Sequence, residues 1–214
     1  MSGTEKMSTS PRFAFLDRAG ECPRPVYDQI LSEVDGCVVT PTLGSIVPNW
    51  LLIVPQMPVL NFAEWRSITG MSPVDLIGKV LGKRSLEKDF VWFEHGPVHS
   101  GTVVGCGVDQ AHLHVIYDAP FSAEQFQHDA AVRSGLTWKK TAVDSAYAEL
   151  DRQNSYFVAG SASTALFAQN VERAGSQFFR KVVASLAHQP DAWNYRTHPH
   201  LAQVDETIRT FRLS

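Results

Sequence analysis

The stretch Gln110-Ala111-His112-Leu113-His114-Val115-Ile116 decides how this chain is read. Polar and apolar residues alternate with a period of two, the pattern of a β-strand that buries one face. The spacing puts Gln110, His112 and His114 on one face and Ala111, Leu113 and Val115 on the other, toward a core. Just upstream, Gly101-Thr102-Val103-Val104-Gly105-Cys106-Gly107 is a loop with three glycines. Amides in such a loop can close on an anion, and the strand it feeds aims two imidazoles in one direction. The combination predicts chemistry on phosphate, with a neutral imidazole as nucleophile. The alternative is a pair of buried, hydrogen-bonded structural histidines.

The bulk of the sequence limits the rest. With 214 residues, 44% of them hydrophobic and 19% charged, the chain can bury a good core and does not read as disordered. Its formal net charge of −3 leaves no basic footprint for nucleic acid or for an anionic membrane. No apolar run approaches the roughly 20 residues of a membrane-spanning helix. Residues 1–11 are polar, lack the apolar centre of a signal peptide and read as a disordered tail. Three widely spaced cysteines, Cys22, Cys37 and Cys106, fit free thiols in a reducing cytoplasm. There is no Cys-x-x-Cys pair, so no structural zinc and no other metal site is expected.

Periodicity and breakers give a coarse layout. Residues 26–34 read as a short helix. Residues 37–40 and 50–54 read as strands around a turn with Gly44, Pro48 and Asn49. Residues 61–81 read as helical, interrupted at 70–73, where Ser72-Pro73 has the form of an N-cap followed by a first-turn proline. Strands are expected at 90–93 and 111–118, a helix at 122–134, and further strands at 136–143 and 154–159. Residues 176–187 form an amphipathic helix, with Phe178, Phe179, Val182, Val183 and Leu186 at helical spacing. His198-Pro199-His200 lies in a proline-broken segment and reads as a surface loop, and Trp193 and Tyr195 read as cover for the core.

The central stretch resembles the signature of the histidine triad (HIT) superfamily, H-φ-H-φ-H-φ-φ with φ apolar. Here the pattern is Q-A-H-L-H-V-I: every φ position and two of three histidines are kept, with Gln110 at the first. The resemblance extends to residues 39–55, similar to the family's N-terminal hairpin, and to Phe93-Glu94-His95-Gly96 ahead of the loop. It implies an α+β fold, an antiparallel sheet of about five strands with helices packed on one face. Residues 12–120 would be the nucleotide-binding core and residues 121–214 a C-terminal extension packed on it. It further implies a homodimer and no cofactor.

The resemblance also implies roles. His112 would attack the α-phosphorus of a nucleoside monophosphate conjugate and form a covalent nucleotidyl-histidine. Its Nδ1–H would be held by the backbone carbonyl of residue 110, which glutamine supplies as well as histidine does. His114 would assist the phosphate or leaving group, and Gln110 would support the strand face. A histidine rather than a glutamine at position 114 favours hydrolysis over nucleotidyl transfer or phosphorolysis. The loss of the first histidine, and of the basic cluster many relatives carry after position 54, leaves open a nucleotide-binding protein with little catalysis. Between Pro97 and Pro120 there is no Lys or Arg. Phosphate contacts then fall to loop amides, to Ser100 or Thr102, to His95 or His99, or to a cation from elsewhere. The resemblance places them at the loop of Gly105, Cys106 and Gly107, and at Gln177 and Arg180 on the later amphipathic helix, a helix that also reads as simply a solvated polar face.

Overall fold

The computed structural model describes residues 12–16, 25–84, 89–105 and 108–213. The expected tail at 1–11, and Cys22, Cys106 and Gly107, lie outside them. Its frame is an antiparallel sheet of eight strands: β1 (Ser32–Val34), β2 (Cys37–Pro41), β3 (Trp50–Pro55), β4 (Phe90–Gly96), β5 (Leu113–Tyr117), β6 (Lys139–Ala142), β7 (Tyr156–Gly160) and β8 (Thr164–Gln169). They are ordered β1-β2-β3-β5-β4-β7-β8-β6. The triad strand β5 therefore sits inside the sheet, between β3 and β4.

The expected hairpin is present as β2 and β3, paired from Cys37↔Pro55 to Pro41↔Leu51. Residues 26–34 are a correction. They form a 3₁₀ turn at Val26–Asp28 and then β1, not one helix. Asp35-Gly36, both at positive φ (50° and 74°), make the two-residue turn that folds β1 onto β2, and such turns match the twist of a hairpin.

Helices cover both faces. α1 (Phe62–Thr69) is capped by Asn61, whose side chain accepts from the Glu64 amide, and ends at Gly70 with φ 72°. α2 (Pro73–Leu81) starts on the Ser72-Pro73 cap. Trp65, Leu76 and Ile77 of this pair pack with Leu51, Ile53, Trp92, Leu113 and Val115 on one face. α3 (Ala123–Ser134) begins with a Ser122/Gln125 capping box, and α4 is Phe178–Leu186. Phe126, Phe179 and Val182 from these two pack with Trp50, Phe93, Ile116 and Phe157 on the other face. On that same face, Phe13 and Phe15 cover Val38, Leu52 and Val54. α5 (Leu201–Arg212) lies against β2 and β3, where Thr207 Oγ1 accepts from the Asn49 amide at 2.9 Å.

Two expectations are corrected here. The sheet has eight strands rather than about five, and the helices sit on both faces rather than one. The reason is the same for both. Residues 121–214, expected as an extension, supply β6, β7 and β8, and β7 pairs directly with β4 from Trp92↔Gly160 to Gly96↔Tyr156. A sheet widened in this way has two apolar faces to bury.

Candidate active site

The imidazoles lie in the seam between the two apolar clusters on one face. His114 pairs across to Leu52 of β3 and Phe93 of β4. His112 comes one residue before β5 begins. His95 enters from β4 beside them. Ring centroids are 5.2 Å apart for His112 and His114 and 6.3 Å for His95 and His114. All three border one cavity, together with Thr42 and with Arg180 and Gln177 from the far helix. Six of the nine sequence-derived site residues are thus described around, or directly behind, a single opening once Gln110 is counted behind His112.

The two triad histidines are held in opposite tautomers. His112 Nδ1 lies 2.8 Å from the Gln110 backbone carbonyl. A carbonyl only accepts, so Nδ1 carries the proton and Nε2 keeps its lone pair. His114 Nδ1 lies 3.0 Å from Trp50 Nε1. An indole N–H only donates, so Nδ1 of His114 is bare and its proton sits on Nε2. One cavity wall therefore presents a nucleophilic nitrogen next to an N–H donor.

The surroundings keep these rings neutral. Burial, offset in part by the Gln110 hydrogen bond, lowers His112 to about 4, with Arg12 and Arg180 adding in the same direction as burial. Burial lowers His95 to about 3. His114 lies well below its ordinary value, again chiefly through burial, and its ring stacks on Phe93 at 4.6 Å. A neutral imidazole is the form that attacks phosphorus.

Gln110 contributes its backbone, and its side chain is a correction. Its Nε2 donates to the carbonyls of Pro55 and Met57 at 2.8 and 3.0 Å. The chain bends at Gln110, and the Ala111 amide leaves the ladder to donate to Val59 at 2.7 Å. The period-two alternation that put Gln110 on the imidazole face stops there.

Arg180 is buried and used as a brace. It donates to the carbonyls of Gly44 and Leu43 and to Thr42 Oγ1, and lies over the rings of Trp50 and Tyr195 at 4.8 and 5.3 Å. The β2–β3 loop is thereby clamped. A Cβ on Gly44, whose φ is +72°, would stand 2.4 Å from Tyr195 Cβ. Gln177, at φ 57°, starts α4 and faces the cavity. Gly105 lies in the loop and accepts from the Val108 amide at 3.0 Å. It does not border the cavity, whereas Val108 does.

Several neighbours of the imidazoles come from far along the chain. Arg12 and Phe13 border the cavity, as does Tyr195, which the sequence places only as cover for the core, and Trp50 sets the His114 tautomer. In the sequence Trp50 is one apolar letter in a strand, and nothing in the first residues of the chain marks them as facing inward. Among the described residues, no group of three or more His, Cys, Asp or Glu is placed to hold a metal ion. No described helix is long and apolar enough to cross a membrane.

No family model matches the chain, and no curated protein matches it. Two solved structures are similar to it in shape. One is yeast Ap4A phosphorylase Apa2, with TM-score 0.35 and 11% identity over 64% of this chain and 57% of that one. The other is the same yeast enzyme in complex with AMP, with TM-score 0.36 and 13% identity over 83% of this chain and 73% of that one. The first match thus spans little more than half of the yeast chain. Both likenesses are slight, and the chemistry is carried by the geometry of the site itself.

Proposed function

We propose that this chain is a HIT-like enzyme that acts at the α-phosphate of a nucleoside monophosphate conjugate through a nucleotidyl group carried on His112. The observation that carries this reading is the pair of opposed tautomers, a bare Nε2 on His112 beside an Nε2–H on His114. In the first step the His112 lone pair forms the P–N bond, and the P–O bond to the leaving group breaks with its electron pair. The Gln110 carbonyl steadies the imidazolium through Nδ1–H. His114 donates its Nε2–H to a phosphoryl oxygen as charge grows there. In the second step water attacks phosphorus and gives up a proton to solvent. The P–N bond breaks and its pair returns to Nε2. His95 and Gln177 are assigned to holding the nucleotide, and Arg180 to bracing the wall they share; amides of the loop at 105–107 are a further candidate for the phosphate.

A second reading, a nucleotide-binding protein with little catalysis, is favoured by one feature. The cavity is only about 40 Å³, room for water but not for a nucleotide, since small-molecule sites run to roughly 300 Å³ and more. Arg12 and Phe13 stand at its border, and Phe13 packs 5.6 Å from the His112 ring. Substrate entry requires that they shift.

Turnover of a panel of adenylyl conjugates by the native chain and by His112→Ala separates the two. The enzyme reading expects turnover that falls at least about a thousandfold in the variant, with the melting temperature held. Equal, trace rates in both proteins favour the binding reading. Product analysis with and without added phosphate distinguishes hydrolysis, which we favour because position 114 holds a histidine rather than a glutamine, from phosphorolysis.

A further inference from the structure

A phosphate conjugate needs positive charge, and the glycine loop has none. Two guanidiniums border the cavity. Those of Arg180 are committed to carbonyls at 2.6 and 2.5 Å. Arg12 is held differently. Its side chain is 18% exposed, its Nη1 pairs with buried Asp28 Oδ1 at a long 3.7 Å, and among the described residues that Nη1 has no hydrogen-bond partner. It lies over the rings of Phe13 and Tyr27 at 5.0 and 5.5 Å, which fix its direction without satisfying its donors. Phe13, at φ 63°, a backbone conformation uncommon for a bulky residue, follows it. Across the same cavity His95 is only 7% exposed, and among the described residues its Nε2 also lacks a hydrogen-bond partner.

Arg12 Nη1, which reaches no nearer to Asp28 Oδ1 than 3.7 Å, and His95 Nε2 are buried donors or acceptors with no hydrogen bond among the described residues, and each is costly to an empty site. Both border one opening beside His112, so one occupant can relieve both. It must accept hydrogen bonds from a guanidinium and carry negative charge, the description of a phosphate oxygen.

We infer that Arg12 is the phosphate-binding cation of this site, delivered from the N-terminal segment, and that Asp28 is its counter-ion when the site is empty. The inference rests on the nucleotide reading for what else the ligand carries, though the phosphate contact itself does not depend on a nucleoside. Binding trades the long Asp28 pair for a charge-assisted contact to phosphate. The Arg12–Phe13 segment then moves with its ligand, which reconciles a cavity of 40 Å³ with a substrate several times larger.

Isothermal titration of the full chain with pyrophosphate, AMP and adenosine tests this, using Arg12→Gln and Asp28→Asn. Arg12→Gln should weaken pyrophosphate and AMP about tenfold while leaving adenosine within about twofold. Asp28→Asn, which removes the competing carboxylate, should tighten pyrophosphate about threefold, and this opposite sign keeps the test open if the arginine variant fails to fold. Pyrophosphate affinity unchanged in Asp28→Asn or in a folded Arg12→Gln overturns the assignment. AMP binding that persists in that case leaves the nucleotide reading standing. Arg12-dependent pyrophosphate binding without any AMP binding supports the assignment and removes the nucleotide reading. A native chain that binds none of the three probes overturns both.

Discussion

Glu94 and His95 are neighbours on β4 and face opposite sides of the sheet, and each is a buried ionisable group. Glu94 is fully satisfied. Oε1 accepts from the Phe62 amide at 2.6 Å, and Oε2 accepts from the Tyr147 and Tyr156 hydroxyls, each at 2.8 Å. The Tyr156 hydroxyl in turn accepts from the Ala63 amide at 3.1 Å. The carboxyl thus fastens the start of α1 to the sheet. Tyr156 is pressed so close that a Cβ on Gly96 would stand 2.1 Å from its ring, which explains a glycine at the end of β4. On the other side, His95 has aromatic walls, Phe157 at 4.9 Å and Phe179 at 5.0 Å, and among the described residues its Nε2 has no hydrogen-bond partner. The carboxyl with every partner in place fastens the fold, while the imidazole borders the cavity with a nitrogen that a ligand can reach.

The comparison breaks most easily at Glu94. Glu94→Ala strands two hydroxyls and an amide in a closed interior and should cost about 4 kcal/mol in denaturant unfolding. Glu94→Gln should recover about half of that loss. An alanine variant as stable as the native chain would contradict the structural role given to this side of β4.

Acid should separate the two sides by sign. Burial raises Glu94 to about 7, against the pull of its three hydrogen bonds. Its contribution is therefore greatest below the ordinary carboxylate value and fades as pH rises toward 7. The imidazoles run the other way. His95 and His112, lowered to about 3 and about 4, stabilise the fold above pH 6.5 and lose that contribution as pH falls. Each forfeits about 2 kcal/mol between pH 6.5 and pH 5. Two such groups outweigh one carboxyl, so stability should fall over this range. In Glu94→Gln, which has no opposing group, the fall should steepen. A flat profile would show that the rings are not held neutral by the fold.

On the ligand side, His95→Gln should leave stability within about 1 kcal/mol yet weaken nucleotide binding about tenfold. Titration calorimetry beside a melting curve reads both. A smaller effect on binding is expected from Trp50→Phe, which keeps an aromatic ring in place but removes the indole N–H and frees the His114 tautomer. The rate should fall about fivefold and its pH profile should move, while KM stays near the native value. Smallest of all is Gln110→Ala. The backbone carbonyl behind His112 survives, so turnover should stay within about threefold and stability drop by about 1 kcal/mol through the lost Pro55 and Met57 contacts. A large rate gain in Gln110→His would instead point to a triad weakened by its glutamine.

What the sequence made legible follows from periodicity. The β2–β3 hairpin, the Ser72-Pro73 cap, the α3 and α4 patterns and the alternation of Leu113 to Val115 depend on local spacing, and they stand where expected. β8 is not legible because alanines at 165 and 168 make a weak apolar stripe. β1 is only three residues long, and the Asp35-Gly36 turn that creates it competes with an apolar spacing that also suits a helix. α5 was hidden behind the prolines and loop residues before it. At the site, the tie between His112 and the Gln110 carbonyl is a local feature within three residues. Trp50, Arg12 and the satisfaction of Arg180 are long-range facts that no spacing carries.

The central claim is that His112 Nε2 carries the nucleotidyl group, and intact-mass spectrometry after rapid denaturation tests it most directly. The native chain mixed with an adenylyl conjugate should gain one adenylyl mass that maps to the peptide holding His112, stable in base and lost in acid as a P–N bond requires. His112→Ala should show no adduct and no turnover. Turnover in the native chain with no adduct on His112, or a variant that works at the native rate, would contradict the account.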